Sequence, residues 1–421
     1  QLQQERLVQQ HVFGIAALLL AQKLTQGEVR RDEHILVLGG DLDKAFGIRV
    51  RRGDTALALA RLARVHSYFY RVGWDRTPQR FQAWRAASDS ALRLQPDLPE
   101  ARLARADYWR WTQELEKALG EMDVVVASLP NDAEAHLLRS ELYCRTGRWA
   151  ECIEATRKVV PLTSATAVHL EQLAFQLWFL RRYPDAVEAY DRVLEIAPDN
   201  QLAALYRGRV FFDWLGTTDT LAAAVRALPP GWDPNGVVTL NQNLLAWFQR
   251  RPQDALRATE AAAHGGAVQW RYDFPFSLIR GEAFAHLGRP EDARASFQQA
   301  VEFLEEKIRE GPEFGMRHAL MGWAYAGVGR REDALREIAT ALELEPISRD
   351  AVEGAAVMEL TAPVLAMLGE TDAALRQVEE LLENPSPLSI HRLRREQRWD
   401  PLRGDPRFQR LLESTGPSSS P

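Results

Sequence analysis

Residues 167–200 read AVHLEQLAFQLWFLRRYPDAVEAYDRVLEIAPDN, a block that ends in the turn sequence Ala-Pro-Asp-Asn. Its small residue Ala186 recurs in two earlier blocks at a constant spacing of 34 residues, as Cys152 and Ala118. Two antiparallel helices approach closely only where the facing side chains are small, so each recurrence predicts one helix crossing. A fixed period of this length predicts a stack of helical hairpins.

The same features recur through most of the chain. First helices carry Gly208, Gly281 and Gly322 at the crossing, and second helices carry Ala186, Ala293 and Ala334. The turns between two helices contain Gly147, Gly288 and Gly329, because glycine readily ends a helix. Second helices end at Pro96, Pro130, Pro198 and Pro346, since proline cannot continue the helical hydrogen bonding.

From Thr55 to Pro387 this pattern resembles the tetratricopeptide repeat family, most clearly in the blocks 167–200, 274–301 and 315–346. The resemblance implies an all-α fold, a right-handed superhelical solenoid of antiparallel helix hairpins. It also implies a scaffold for protein–protein interaction that binds a peptide or a partner helix on its concave face.

The sequence predicts four parts. They are an N-terminal helical segment at 1–53 that would end a preceding domain, an array of about nine hairpins at 54–387, C-terminal capping helices at 388–415, and a disordered tail at 416–421. Within the third part, Asp405 is expected to cap the last helix, with Pro406 in its first turn.

Three short runs carry a second, narrower resemblance. The runs are Gly73-Trp-Asp-Arg-Thr-Pro-Gln-Arg-Phe, Leu94-Gln-Pro-Asp-Leu-Pro-Glu-Ala and Trp399-Asp-Pro-Leu-Arg, the last followed by Asp405-Pro-Arg-Phe. They are similar to bacterial multidomain signalling regulators, in which a repeat array follows a TolB-like domain, a kinase, a nucleotide cyclase or a winged-helix domain. This similarity implies an alternative function, that of a regulatory or sensor arm acting in cis.

Charge and hydropathy narrow the range of partners. The net charge is −6 and the isoelectric point is near 5.9, which argues against a nucleic-acid partner because phosphate binding needs a basic face. The basic cluster Arg392, Arg394, Arg395 and Arg398 is interpreted as a solvated helix face. The apolar run from Val12 to Leu20 is too short to cross a bilayer, so no membrane insertion is expected.

The chain offers little that points to catalysis. No nucleophile, base and orienting group can be proposed together, and no histidine pair has metal-ligand spacing, so neither an enzyme nor a cofactor is predicted. The two cysteines, Cys144 and Cys152, are interpreted as buried packing residues, with a disulfide as the less favoured alternative. We expect a cytoplasmic location.

The repeat register places ten residues on the concave face as candidates for partner binding. They are Arg110, Trp111, Arg145, Trp178, Phe179, Phe212, Asp213, Trp247, Phe248 and Trp323. Tryptophan and arginine are enriched where protein partners bind strongly. In the alternative interpretation, the aromatic side chains only pack against the next hairpin. Arg110, Arg145 and Arg209 could also hold an acidic ligand through their guanidinium groups.

Overall fold

The computed structural model describes residues 55–71, 75, 77–162, 167–262, 265–269 and 272–413. The helix predicted near the start of the chain, the run that begins at Gly73 and the tail at 416–421 fall at least partly outside these residues. The chain divides after Leu142 into two compact units, here called unit 1 and unit 2.

Helices make up almost all of both units. Unit 1 contains α1 (Thr55–Arg71), α2 (Pro78–Leu94), α3 (Pro99–Trp111), α4 (Leu115–Ser128) and most of α5 (Ala133–Arg145). Unit 2 continues with α6 (Trp149–Leu162), α7 (Ala167–Phe179), α8 (Tyr183–Ile196), α9 (Gln201–Leu215), α10 (Asp219–Arg226), α11 (Val237–Phe248) and α12 (Pro252–Ala261). It ends with α13 (Phe276–His286), α14 (Pro290–Glu310), α15 (Gly315–Val328), α16 (Arg331–Leu344), α17 (Glu353–Met367), α18 (Thr371–Glu383), α19 (Ile390–Arg395) and α20 (Pro406–Glu413).

Consecutive helices pack as hairpins. In unit 1 these are α1 with α2 and α3 with α4, and in unit 2 the pairs run from α7 with α8 to α17 with α18. The aromatic core of unit 1 surrounds Trp84, which is fully buried. Trp111 meets Tyr70 edge-on there, with ring centroids 5.4 Å apart. The prediction of an all-α repeat fold is thus confirmed.

Unit 2 shows why the crossing positions are small. A Cβ atom on Gly208 would lie 2.5 Å from the Cα of Leu221, and one on Gly322 would lie 2.8 Å from Cγ1 of Ile338. Neither distance is sterically possible without a shift of the neighbouring helix, so glycine permits these crossings. Gly329 has φ of 84° and ends α15 in the left-handed conformation, as its place in the turn predicts.

One element of unit 2 was not predicted. Strands β1 (Gly266–Gln269) and β2 (Tyr272–Pro275) form an antiparallel hairpin immediately before α13, with Ala267 opposite Phe274. A Cβ atom on Gly266 would lie 2.5 Å from the carbonyl oxygen of Phe274. The hairpin therefore depends on glycine at this close backbone approach.

The two cysteines are joined to each other, which differs from the sequence-based prediction. Cys144 and Cys152 form a disulfide that joins the end of α5 to α6, with Cα atoms 5.2 Å apart. The interpretation as free packing residues is wrong, although both side chains are buried as expected. The reason is local, because a short turn between two helices brings the two backbones within disulfide reach.

Candidate binding site in unit 2

Four successive first helices, α5, α7, α9 and α11, have their C-terminal ends in unit 2, and each end contacts a later part of the chain. Arg145 contacts Asp350, Arg181 contacts residues 381–388, Asp213 contacts residues 389 and 392, and Arg250 contacts residues 395 and 400. The contacted positions rise in the same order as the helix ends. The chain from Asp350 onward therefore follows this row of helix ends, and residues 386–402, here called the C-terminal segment, cover its middle.

Asp213 is the centre of a buried contact with the C-terminal segment. It is 2% exposed, and its carboxylate accepts hydrogen bonds from Trp178 Nε1 at 2.9 Å, Ser389 Oγ at 2.8 Å and Arg392 Nε at 2.8 Å. Arg392 also donates from Nη1 to Glu359. Burial alone would lower the pKa of Arg392, but the carboxylates of Asp213 and Glu359 outweigh it and raise that pKa. The charges are thus fully paired, and removing one partner would leave a buried charge.

Arg181 holds the beginning of the C-terminal segment through backbone oxygens. It donates to the carbonyl of Leu388 at 3.2 Å, to that of Leu382 at 3.0 Å and to that of Leu381. The last two carbonyls belong to the final turn of α18, where no helical partner is available. Arg181 therefore caps one helix while it closes another part of the chain onto α7.

The sequence contains a signal for these arginines that the repeat analysis missed. Residues with positive φ follow the first helices at Gly147, Arg181, Gly216, Arg250, Gly288, Gly329 and Gly369. Arginine stands twice in a position that favours glycine, with φ of 58° at Arg181 and 57° at Arg250. An arginine in the left-handed conformation lowers stability by about 1 kcal/mol or more. We infer that arginine stands at these two positions because of the contacts that its side chain makes.

All ten predicted partner-binding residues are buried. The exposed fraction is 1% for Arg110, 4% for Trp111, 3% for Arg145, 2% for Trp178, 3% for Phe179, 0% for Phe212, 2% for Asp213, 2% for Trp247, 1% for Phe248 and 6% for Trp323. Arg110 and Trp111 lie in unit 1, and the other eight lie in unit 2. This burial agrees with the packing alternative for the aromatic residues, and their role in partner binding stays a prediction.

The four arginines of the cluster near the end of the chain differ in how far they are exposed to solvent. Arg394 and Arg395 are exposed, whereas Arg392 is 3% exposed. Arg398 lies 3.2 Å from Glu396 and 3.8 Å from Glu282. The interpretation as a solvated face is therefore wrong for Arg392, and Arg398 is half-buried beside these carboxylates. Successive helical residues point in different directions, so one face of α19 can bury an arginine while the other exposes two.

Beside the Asp213 contact lies a cavity of about 240 Å³. Its apolar wall includes Leu240, Met316 and Trp323. Phe274, from the unpredicted β hairpin, also lines it and meets Trp323 edge-on at a centroid distance of 6.0 Å. Of the ten predicted residues, Trp323 is the one that lines this cavity.

The polar wall of the cavity contains groups without partners. The Oδ1 atoms of Asn241 and Asn243 and the Nε of Arg209 are buried and have no hydrogen-bond partner among the described residues. No carboxylate of those residues forms an ion pair with Arg209, whose pKa is lowered by burial and by the charge of Arg392. Each unsatisfied polar group costs about 1–3 kcal/mol, so a ligand that pairs with these three groups would recover part of that cost.

The described residues contain no group of three or more His, Cys, Asp or Glu side chains suited to a metal ion. In the same part of the chain, none of the helices combines the length and the apolar character needed to cross a bilayer.

A family model of the tetratricopeptide repeat matches residues 173–213 and 241–308. These ranges lie in unit 2 and contain the row of helix ends from α7 to α11. No curated protein matches the sequence. The narrower resemblance to bacterial multidomain regulators stays a prediction.

Several solved structures are similar at low sequence identity. A tetratricopeptide repeat protein from Parabacteroides merdae is 14% identical, with a TM-score of 0.44, and the match covers 63% of this chain and 98% of that one. For the human IFIT1 dimer with PPP-AAAA the identity is 13%, the TM-score 0.44 and the coverage 75% and 70%. For PilF of Pseudomonas aeruginosa the values are 14%, 0.34, 62% and 94%. The helix hairpins of unit 2 and the match of the family model together indicate an all-α fold of tetratricopeptide-type repeats.

Proposed function

We propose that this protein is an interaction scaffold whose unit 2 binds a short, largely helical polypeptide segment along the row of helix ends. The observation that carries the proposal is the position of the chain's own C-terminal segment, which already lies there and is held by Asp213 through Ser389 and Arg392. In this view the C-terminal segment occupies in cis a position that a partner segment takes in trans.

The contacts specify the chemistry of such a partner. It would present a hydroxyl group and an arginine three residues apart, as Ser389 and Arg392 do. The guanidinium of Arg392 lies 6.0 Å from the ring centre of Trp178 and 5.8 Å from that of Phe248, so two of the sequence-predicted residues would contact the partner's arginine. Asp213 would supply the paired carboxylate.

Binding of a labelled peptide with the sequence of residues 384–404 to the full-length protein tests this proposal. In the wild-type protein the internal segment competes, so the peptide should bind weakly. In an Arg392→Ala protein the internal segment has lost its main contact, and the peptide should bind about tenfold tighter or better, because the site is open for a larger fraction of the time.

Two controls make the result specific. Arg395 is exposed on the same helix, so Arg395→Ala should leave peptide binding at the wild-type level. A peptide that carries alanine in place of Arg392 should bind neither protein. The proposal fails if the Arg392→Ala protein keeps its helical circular dichroism yet binds the natural and altered peptides equally.

A further inference from the structure

The cavity in unit 2 has two kinds of wall, and the apolar wall sets the size and character of what can fill it. Leu240, Met316 and Trp323 supply apolar surface around a volume of about 240 Å³. Pockets for drug-sized ligands measure roughly 300–1,000 Å³, so the occupant would be smaller and would carry an apolar group.

Arg209 supplies a positive charge that no described residue neutralises at ion-pair distance. Its guanidinium lies 4.7 Å from the ring centre of Trp178 and 5.5 Å from that of Tyr206, which fixes its position without using its donors. The two other arginines of the cavity differ, because Arg392 binds Asp213 and Arg398 lies beside Glu396. Arg209 could therefore bind an anionic ligand, and the planar guanidinium group is well suited to a carboxylate.

Asn241 and Asn243 call for a hydrogen-bond donor. Asn241 is 1% exposed and Asn243 is 5% exposed, and both line the cavity with an Oδ1 atom that has no partner among the described residues. The Nδ2 of Asn241 donates to the carbonyl of Val237 at 2.8 Å, which fixes that amide with its oxygen unpaired. Glu359 adds a carboxylate to the same wall.

We propose that this cavity binds a free apolar α-amino acid. Its carboxylate would pair with Arg209, its ammonium group would donate to the side-chain oxygens of Asn241 and Asn243, and its side chain would pack on Met316 and Trp323. A simple carboxylate would leave both amide oxygens unpaired, and a simple amine would leave Arg209 unpaired. The proposal does not depend on the binding of a peptide partner, because it uses groups that the C-terminal segment leaves unsatisfied.

Calorimetric titration of the full-length protein with L-leucine, L-methionine and L-phenylalanine tests the ligand class. At least one of the three should bind. L-Leucinamide lacks the carboxylate and N-acetyl-L-leucine lacks the ammonium group, so each should bind about tenfold more weakly than leucine, or worse, since a buried partner is left unsatisfied. The proposal is wrong if none of the three amino acids binds at millimolar concentration, or if either blocked analogue binds as well as its parent.

A pair of variants on one helix tests the site. Arg209→Gln removes the free guanidinium and should abolish amino-acid binding. The matched control is Arg207→Gln, because Arg207 lies on the same helix but already pairs with Asp191 at 2.5 Å; this variant should bind like the wild type. Thermal unfolding without ligand separates a binding role from a structural one. Arg209→Gln should unfold at or above the wild-type temperature, and a large decrease together with retained amino-acid binding would overturn the assignment.

Discussion

Unit 1 and unit 2 each bury an arginine among carboxylates, but these arginines connect very different lengths of chain. In unit 1, Arg110 binds Asp107 and Glu141, which are 3 and 31 residues away. In unit 2, Arg392 binds Asp213, which is 179 residues away. The same kind of buried ion pair thus joins neighbouring hairpins in unit 1. In unit 2 it joins the C-terminal segment to helix α9.

This difference changes how each unit should respond to damage. A repeat stack is stabilised mainly by contacts between neighbours, so a lost contact affects mainly the adjacent repeats. Unit 2 adds contacts that link its first helices to the C-terminal segment. We expect the loss of one of these contacts to be felt far away in sequence, which the following variants would test.

The largest effect is expected from Asp213→Ala in unit 2. The substitution leaves Arg392 buried without its main partner and also removes the acceptor of Trp178 and Ser389. Breaking a buried ion pair from one side costs about 3–5 kcal/mol. Urea unfolding should show this loss, and hydrogen exchange should accelerate in residues 386–402 as well as in α9.

An exposed pair supplies the control. Asp372 pairs with Arg407 at 2.8 Å, and its side chain is 72% exposed. Asp372→Ala should therefore cost less than about 1 kcal/mol. If the Asp213 and Asp372 variants unfold alike, the buried contact does not close unit 2 as described.

A smaller and more local effect is expected from Arg110→Ala in unit 1. Burial opposes ionisation of Asp107, but Arg110 and Arg71 outweigh it and lower the pKa of Asp107 to about 2. After the substitution Asp107 keeps Arg71 and Ser67 as partners, so the loss should be near the lower limit for a broken buried pair, about 3 kcal/mol. Hydrogen exchange should accelerate in α1, α3 and the part of α5 within unit 1. Faster exchange of residues 386–402 in this variant would contradict the local character of the contact.

The sequence predicted the local features of both units and missed the distant ones. The helix crossings at Gly208 and Gly322 could be predicted, because small residues recur along the sequence at the spacing of the repeat. The pairing of Asp213 with Arg392 could not be predicted from the repeat spacing, because Arg392 lies outside the repeats. The β hairpin at Gly266 was also missed, because it occupies one connection and repeats nowhere.

The stabilities of the two units should depend on pH in opposite directions because of two histidines, His66 and His318. Burial and the nearby charge of Arg80 lower the pKa of His66 in unit 1 to about 4, against a smaller opposite effect of Asp75. Between this value and about 6.5 the unfolded chain binds a proton that folded His66 does not, so unit 1 loses stability as pH falls, by about 3 kcal/mol in full. His318 in unit 2 behaves oppositely: burial lowers its pKa, but its hydrogen bond to Glu337 and other contacts raise it overall, so its contribution is lost as pH rises through the folded pKa.

Urea unfolding followed by tryptophan fluorescence, at pH values of about 7 and about 4.5, measures the loss of stability for the whole chain, and comparing the wild type with a variant of His66 isolates the part that His66 causes. A His66→Gln variant cannot titrate in this range and should lose most of the acid destabilisation of unit 1. An unchanged pH dependence in this variant would show that other groups in unit 1 cause it.

The smallest effects should come from replacing the two left-handed arginines of unit 2 by glycine. Both replacements relieve a backbone cost of about 1 kcal/mol. Arg250 pairs with Asp400 at 2.6 Å, and its side chain is 41% exposed, so Arg250→Gly loses a contact worth less than about 1 kcal/mol and should leave stability nearly unchanged.

Arg181→Gly should differ from Arg250→Gly although the backbone gain is the same. It loses the donor to three carbonyl oxygens, those of Leu381, Leu382 and Leu388, each bond contributing about 1 kcal/mol. The net loss should be about 1–2 kcal/mol, with faster hydrogen exchange at the end of α18. Equal stability of the two variants in urea unfolding would mean that the left-handed arginine is tolerated rather than retained for its contacts.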